Sequence, residues 1–221
     1  MPAAADRTLA AALREHQPCV ALTGPDLSAP SGVPDCRPPA TAAARSQDLW
    51  TFLGDRMRRI DAAAPAPGHH ALRRLERAGL LRAVITLSAD TLHDAAGTRN
   101  LIELAGSLQR SVCPACGYSE PLGCVIDMLP LPRCAACGAV LRPNVVAADA
   151  APLPVAFQRA CQLARTAALL LLVHVDASRT PAREIAAAAR DAGGRVERAT
   201  GAALVHAADT LTAHATPTTS A

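Results

Sequence analysis

The chain has 221 residues, half of them apolar, with 22 arginines against 19 acids and a formal net charge of +3. That is enough for one sizeable core plus a small module, and it excludes a disordered polymer. The arginines are scattered, lysine is absent and there is no block of like charge, so a nucleic-acid footprint is not indicated.

The opening "MPAAADRTLAAALREHQ" carries Asp6, Arg7, Arg14 and Glu15 and so lacks the apolar centre of a secretion signal. The longest strongly apolar run, "AALLLLVHV", falls far short of the ~20 residues a membrane span needs. We therefore expect a soluble, cytoplasmic protein with reduced thiols, whose paired cysteines read as metal ligands before disulfides. The arginine-, alanine- and proline-rich composition without lysine points to GC-rich coding.

In chain order, residues 7–16 read as a helix and "CVALTG" as a short buried strand. A Pro- and Ser-rich loop follows, then a helical pattern from Thr41 to Ile60, broken by "DAAAPAPG". "HHALRRLERAG" is a helix stopped by Gly79, and "LLRAVITLS" a second buried strand. The stretch around Ala105 reads as a short polar loop before the cysteine module at 113–137. "LRPNVVAA" is a strand, 154–166 a helix, "ALLLLVHV" a third buried strand and "PAREIAAAARDAGG" a helix. "RVERAT" and "ALVHAADTL" close the fold, and the tail "HATPTTSA" is expected to fray.

Strands alternating with helices, the strands continuously apolar, predict an α/β fold: a Rossmann-like parallel sheet with helices on both faces. Ligands in such sheets bind beyond the carboxyl ends of the strands, here Thr23–Asp26, Thr86–Asp90 and His174–Asp176.

Cys113-x2-Cys116 and Cys134-x2-Cys137 stand 17 residues apart. Two such pairs place four thiolates around one tetrahedral ion, zinc by ligand type. With four Cys no position is left for water, so the zinc is structural. Cys124 is a spare thiol, and Cys19, Cys36 and Cys161 read as buried structural cysteines. The expected division is a discontinuous Rossmann-like domain, 1–112 and 143–214, with a helical insert at about 38–64, a zinc module at 113–142 and a flexible tail at 215–221.

Five segments together resemble the sirtuins (Sir2-like), the NAD-dependent protein-lysine deacylases. They are "LTGPDLSAPSGVPDCR", "APAPGHHALRRLE", "TLSADTLHDAAG", "LIELAGSLQRSVCPACG" and "LRPNVV", in family order. The resemblance implies a cleft between the two domains for NAD and an acyl-lysine peptide or protein partner. Matched cofactor-side positions are Gly24, Ser28, Asp35, Arg37, Ser88 and Asp90, with His93 nearby. It also implies departures. The general-base histidine is Ala105, which cannot move a proton; losing a base typically costs ~10²–10⁴ in rate. The Gln-Asn pair is Leu87-Ser88, the small G-A-G turn is Gly24-Pro25-Asp26, and the G-T-S loop is His174-Val175-Asp176. The substrate-channel W-F-G-E is Ala147-Ala148-Asp149-Ala150. A charge at Asp26 ~4 Å from a pyrophosphate would cost ~4 kcal/mol at an effective dielectric of ~20.

We therefore expect a sirtuin-fold protein with impaired or absent catalysis, acting as a zinc-braced binding module with weakened affinity for NAD or ADP-ribose. No catalytic residue is assigned. The competing readings are a divergent working deacylase or ADP-ribose-transferring enzyme, with His174 as a possible substitute base, and a zinc-ribbon nucleic-acid binder. The last is disfavoured because only Arg133 is basic between the knuckles.

Overall fold

A computed structural model of the protein describes residues 4–43 and 45–213. The predicted tail lies outside the described residues. The chain begins with α1 (Ala4–Glu15) and β1 (Cys19–Thr23), then a 3-10 helix over Pro25–Ser31. The predicted helical insert is two helices, α2 (Ala40–Ala43) and α3 (Ser46–Ala62). Then come α4 (Pro67–Arg77), β2 (Ala83–Thr86), α5 (Leu92–Ala95), β3 (Leu101–Glu103) and β4 (Gly106–Val112). The cysteine region contributes β5 (Ser119–Pro121) and α6 (Leu122–Asp127). The chain ends with β6 (Arg142–Val145), α7 (Pro154–Arg165), β7 (Leu169–Val173), α8 (Ala182–Asp191), β8 (Arg195–Ala199) and α9 (Gly201–Thr212).

Five strands form an all-parallel sheet in the order β3-β2-β1-β7-β8. Strand order reverses between β1 and β7, which opens a crevice at their carboxyl ends. The sheet is parallel because each strand returns through a crossover, and its central strands β1, β2 and β7 are buried throughout because both faces are covered, whereas the edge strand β8 carries Arg195, Glu197 and Arg198. Alternate residues separate cleanly. Cys19, Ala21, Val84, Leu169 and Leu171 pack against α1, α4 and α9 through Leu13, Leu72, Leu75 and Leu204. Val20, Leu22, Ile85, Leu170 and Leu172 pack against α7 and α8 through Ala160, Ala164, Ile185 and Ala189. Each fully buried Leu contributes about 1.5–3 kcal/mol, so these two layers hold the site's frame rigid.

A second, antiparallel sheet runs β5-β4-β6. Its strands extend past the 113–142 stretch: β4 leads into the first cysteine pair, and "LRPNVV" joins this sheet instead of the parallel one. The smaller core contains Trp50, Leu53, Met57 and Ile60 of α3 with Leu108, Cys113, Val125, Cys134 and Leu141. Trp50 Nε1 donates to the carbonyl of Leu141 at 2.9 Å, tying the helical insert to the cysteine module. Among the described residues no helix is long and apolar enough to cross a membrane.

Candidate functional site

The carboxyl ends of β1, β2 and β7 converge on a cleft of about 380 Å³. Gly24 leaves β1 and donates its N–H to Val173 of β7 at 2.9 Å. It has to be glycine: a Cβ there would stand 2.0 Å from the carbonyl oxygen of His174. The same close approach places His174 over the turn. Pro25 fixes the first turn of the 3-10 helix, and Gly32 ends it in the left-handed region at φ 74.

The cleft is acidic. Asp26, Asp35, Asp149 and Asp176 line it against Arg37 and Arg179, a formal charge of −2. Arg37 is already engaged: its backbone N–H and Nε both reach Asp35 Oδ1 at 3.0 Å. Asp26 is exposed. Asp176 is held below the usual carboxylate range by the Ser178 hydroxyl, at 2.6 Å, and the Ser178 backbone N–H, at 2.9 Å, so it stays charged.

Beneath the cleft floor lies a buried polar chain. Asp90 is 2% exposed. Its Oδ2 accepts the hydroxyls of Ser28 and, at 2.6 Å, Ser88, and its Oδ1 accepts the Leu92 N–H at 3.0 Å. Three donors supply what water would have supplied to a buried carboxylate. His69 Nδ1 accepts the Ala66 N–H at 3.1 Å, so the neutral ring carries its proton on Nε2 and directs it at Ser28 Oγ, 3.4 Å away. The His69 and His93 rings meet edge to face, with 4.7 Å between centroids and 69° between planes. His93 Nε2 lies 2.9 Å from Thr23 Oγ1, while its Nδ1 is buried without a partner. Burial first, then His69, pushes the His93 imidazole down to about 3; burial also lowers His69, with Asp90 pulling the other way. Both rings are neutral at physiological pH.

The structure thus brings Ser28, Ser88 and Asp90 into one network. Gly24, Asp35 and Arg37 stand at the cleft mouth, apart from that network. Sequence reasoning missed His69 as a member, although "GHHAL" was in view; the available signal was the Ala66–Pro67 helix start, which turns its imidazole inward.

Ala105 does not sit in a polar loop as expected. It joins β3 to β4 at 3% exposure and packs in the smaller core, because its neighbours Leu104 and Gly106 are locked by backbone bonds to β2 and β6. Beside it is a cavity of only about 10 Å³, walled by Leu87, Leu104, Val146, Ala147, Ala148, Pro152 and Pro181, with Arg37 as its single charged lining residue. Val146 N–H donates to Ala105 O at 3.0 Å and Ala148 N–H to Pro38 O at 2.9 Å, which closes the walls together. Glu103 and Ser107 flank the position; burial raises the Glu103 carboxyl, with the Ser107 hydroxyl opposing. His174, the other candidate acceptor, has its Nε2 occupied by the Gly201 N–H at 3.1 Å.

Cys113, Cys116, Cys134 and Cys137 gather with all four Sγ atoms within 4.8 Å of one another. Cys113–Cys137 is 3.5 Å and Cys116–Cys134 is 3.6 Å. A tetrahedron with Zn–S near 2.3 Å has edges of about 3.8 Å, so the donor set fits zinc. Both knuckles turn through glycines in the left-handed region, Gly117 and Gly138, each at φ 76, whose N–H groups donate back to Cys113 O and Cys134 O. No cysteine is in a disulfide; Cys124 is exposed, and Cys161 is half-buried instead of buried because it sits on the partly open face of α7.

Comparison with known proteins gives one answer. The model of the Sir2 family matches residues 40–178. NAD-dependent protein deacylase 2 of Pyrobaculum aerophilum is 38% identical over 200 residues, covering 83% of this chain and 80% of its own length. The NAD-dependent protein deacylase of Thermococcus kodakarensis is 38% identical over 199 residues, covering 80% of this chain and 77% of its own. A solved Sir2 homologue–NAD complex superposes with a TM-score of 0.80 at 28% identity, covering 94% and 93% of the two chains. A Sir2–p53 peptide–NAD+ complex gives 0.81 at 26%, covering 95% and 98%.

Proposed function

This chain belongs to the Sir2 family, and from that premise we propose that it is a member with impaired or absent deacylation, serving as a zinc-braced binding module for a protein or acyl-lysine peptide. The observation that carries this reading is Ala105. At the position where the family resemblance requires a proton acceptor stands a methyl group, and no base lines the cavity beside it. Loss of a general base alone costs ~10²–10⁴ in rate. The occupied Nε2 of His174 argues against that histidine as a replacement.

The cofactor side supports the same reading. The relatives are named for NAD dependence. In this chain four carboxylates face the cleft, and Arg37 is engaged by Asp35, so a dinucleotide's pyrophosphate meets net negative charge. The residues present fit that group poorly, and we derive no chemical step through it. Gly24, Ser28, Asp35, Arg37, Ser88 and Asp90 remain the positions through which any residual NAD or ADP-ribose binding would run. Zinc at the four cysteines would brace β4, β5 and β6 against α3 and supply no chemistry. Eight unbridged cysteines suit the reducing cytoplasm.

The test is direct. Purified protein is incubated with NAD and an acetyl-lysine peptide, and nicotinamide release and deacetylated peptide are measured, with calorimetry for NAD and ADP-ribose. The reading expects no turnover above the blank. Turnover that disappears in Asp90→Ala would establish a working enzyme with a rearranged site.

A further inference from the structure

A second concave site lies at the opposite end of the parallel sheet from the cleft. It is a groove of about 570 Å³, set where β2 and β3 begin and bounded by the exposed face of α7. Arg82 and Asn100 immediately precede the two strands, so the site faces away from the carboxyl ends that the family's cleft uses.

Three arginines, Arg82, Arg99 and Arg159, line this groove, and no acidic residue does. Among the described residues the guanidinium groups of Arg99 and Arg159 form no ion pair or hydrogen bond, whereas other arginines, such as Arg37, Arg73 and Arg74, are paired with carboxylates. Arg82 is aimed by α7: its Nη1 donates to Thr166 Oγ1 at 3.2 Å, and that hydroxyl donates in turn to Leu163 O at 2.8 Å.

The Arg99–Asn100 turn is held in place. Glu76 accepts the backbone N–H of Arg99 at 3.1 Å and of Asn100 at 2.7 Å, and its charge is matched by Arg73 at 2.8 Å. The Glu76 carboxylate therefore shapes the turn and pairs its charge with Arg73, outside the groove lining. Asn100 O accepts the Val84 N–H at 2.9 Å, fastening the turn to β2 as well. The volume is that of a small-molecule pocket, and part of the lining is apolar, from Leu101 and Leu163.

We propose that this groove is a binding site for a small polyphosphate anion, held by the guanidinium groups of Arg82, Arg99 and Arg159. Guanidinium is suited to this because its planar donors meet phosphate oxygens in pairs and never lose their charge. Two or more linked phosphates match the charge of three cations, whereas one carboxylate would match only one of them. The ligand comes either free or attached to a nucleoside whose base rests on the Leu101–Leu163 floor.

The test is calorimetry on the full chain with sodium tripolyphosphate and with ATP, each at about 0.05 M and 0.5 M salt. Saturable binding that weakens with salt is expected. Arg99→Glu and Arg159→Glu should each weaken it about tenfold or more, the loss of one charge-assisted contact. Arg110→Glu, the same charge change on exposed β4, should leave it unaltered. ATP binding more tightly than tripolyphosphate assigns the nucleoside form, and equal affinity assigns the free polyphosphate. All three arginines are exposed, so circular dichroism and Trp50 fluorescence should match the parent protein. Absence of binding, equal loss in Arg110→Glu, persistence in both groove variants, or an oligo-aspartate peptide binding as tightly as tripolyphosphate would overturn the proposal.

Discussion

His174 Nε2 accepts the backbone N–H of Gly201 at 3.1 Å, so the one histidine that lines the cleft among the described residues works as a cap on α9. The first turn of that helix has two such partners, since Thr200 Oγ1 accepts the Ala203 N–H at 3.1 Å. His174 is held at φ 52, a conformation that costs a side-chain-bearing residue more than glycine. His174→Ala removes the cap and keeps the backbone cost, so we expect about 1 kcal/mol of lost stability. His174→Gly removes the cap but relieves the backbone, and should lose less. Thermal unfolding of the two variants checks the order. A base at this position would show instead as loss of whatever turnover the parent has.

Acid should destabilise the fold in a window set by the buried histidines. His93 is pushed down to about 3 by burial and by His69, against about 6.5 when unfolded. A histidine whose folded value is depressed favours the fold while both states are neutral, above about 6.5. As pH falls from there toward 3, the unfolded chain takes up a proton that the folded chain refuses. Stability then drops by roughly 1.4 kcal/mol per pH unit for His93, and His69, shifted the same way, adds to it. Urea unfolding at pH 7, 6 and 5 should show this slope, and His93→Gln should reduce it by about one proton.

The parallel sheet was legible because its central strands are continuously apolar: "CVALT" and "LLLLV" have one interpretation once helices alternate with them. The gathering of four cysteines was legible because the spacing of the two pairs alone brings them together. The segment from Leu101 to Gly106 was not. β3 has three residues, too few for a period, and Ala105 looks innocuous in any window; its burial comes from β2, β6 and the 146–148 segment, all remote in sequence. The fate of His174 was equally hidden, since its partner Gly201 is 27 residues away. Polar groups whose partners lie far along the chain leave no local pattern to read.

Removing the metal should damage the smaller core before the larger one. Cys113 and Cys134 are 1% and 3% exposed and pack with Val125 and Leu141, so four unligated thiolates there would repel inside an apolar shell. Trp50 is the only tryptophan and bonds to Leu141 O at 2.9 Å. We expect one zinc per chain by elemental analysis, and a red shift of Trp50 emission on chelation. Cys137→Ser should lose about 4 kcal/mol or more, as losses of a structural metal do. Unchanged emission after complete metal removal would show that the module stands without the ion.

Restoring the missing base should fail unless its surroundings change too. Ala105→His must fit an imidazole beside a cavity with room for about one water, between walls fastened by the Val146–Ala105 and Ala148–Pro38 backbone bonds. Overpacking of this kind costs about 1–3 kcal/mol, so the single variant should be less stable and no more active. Adding Leu87→Gln and Ser88→Asn enlarges the polar surface but loosens Asp90, which Ser88 holds at 2.6 Å. It also leaves the −2 charge of the cleft untouched. Deacetylated peptide, followed by mass spectrometry, should therefore stay at the parent level in the triple variant. Combining it with Asp26→Ala should raise NAD affinity by calorimetry, because Asp26 is an exposed carboxylate in the cleft that neither the Asp90 network nor Arg37 engages. A rise of ~10² in peptide turnover from Ala105→His alone, the return expected of a general base, would mean that the walls open readily and that the lost histidine was the whole of the defect.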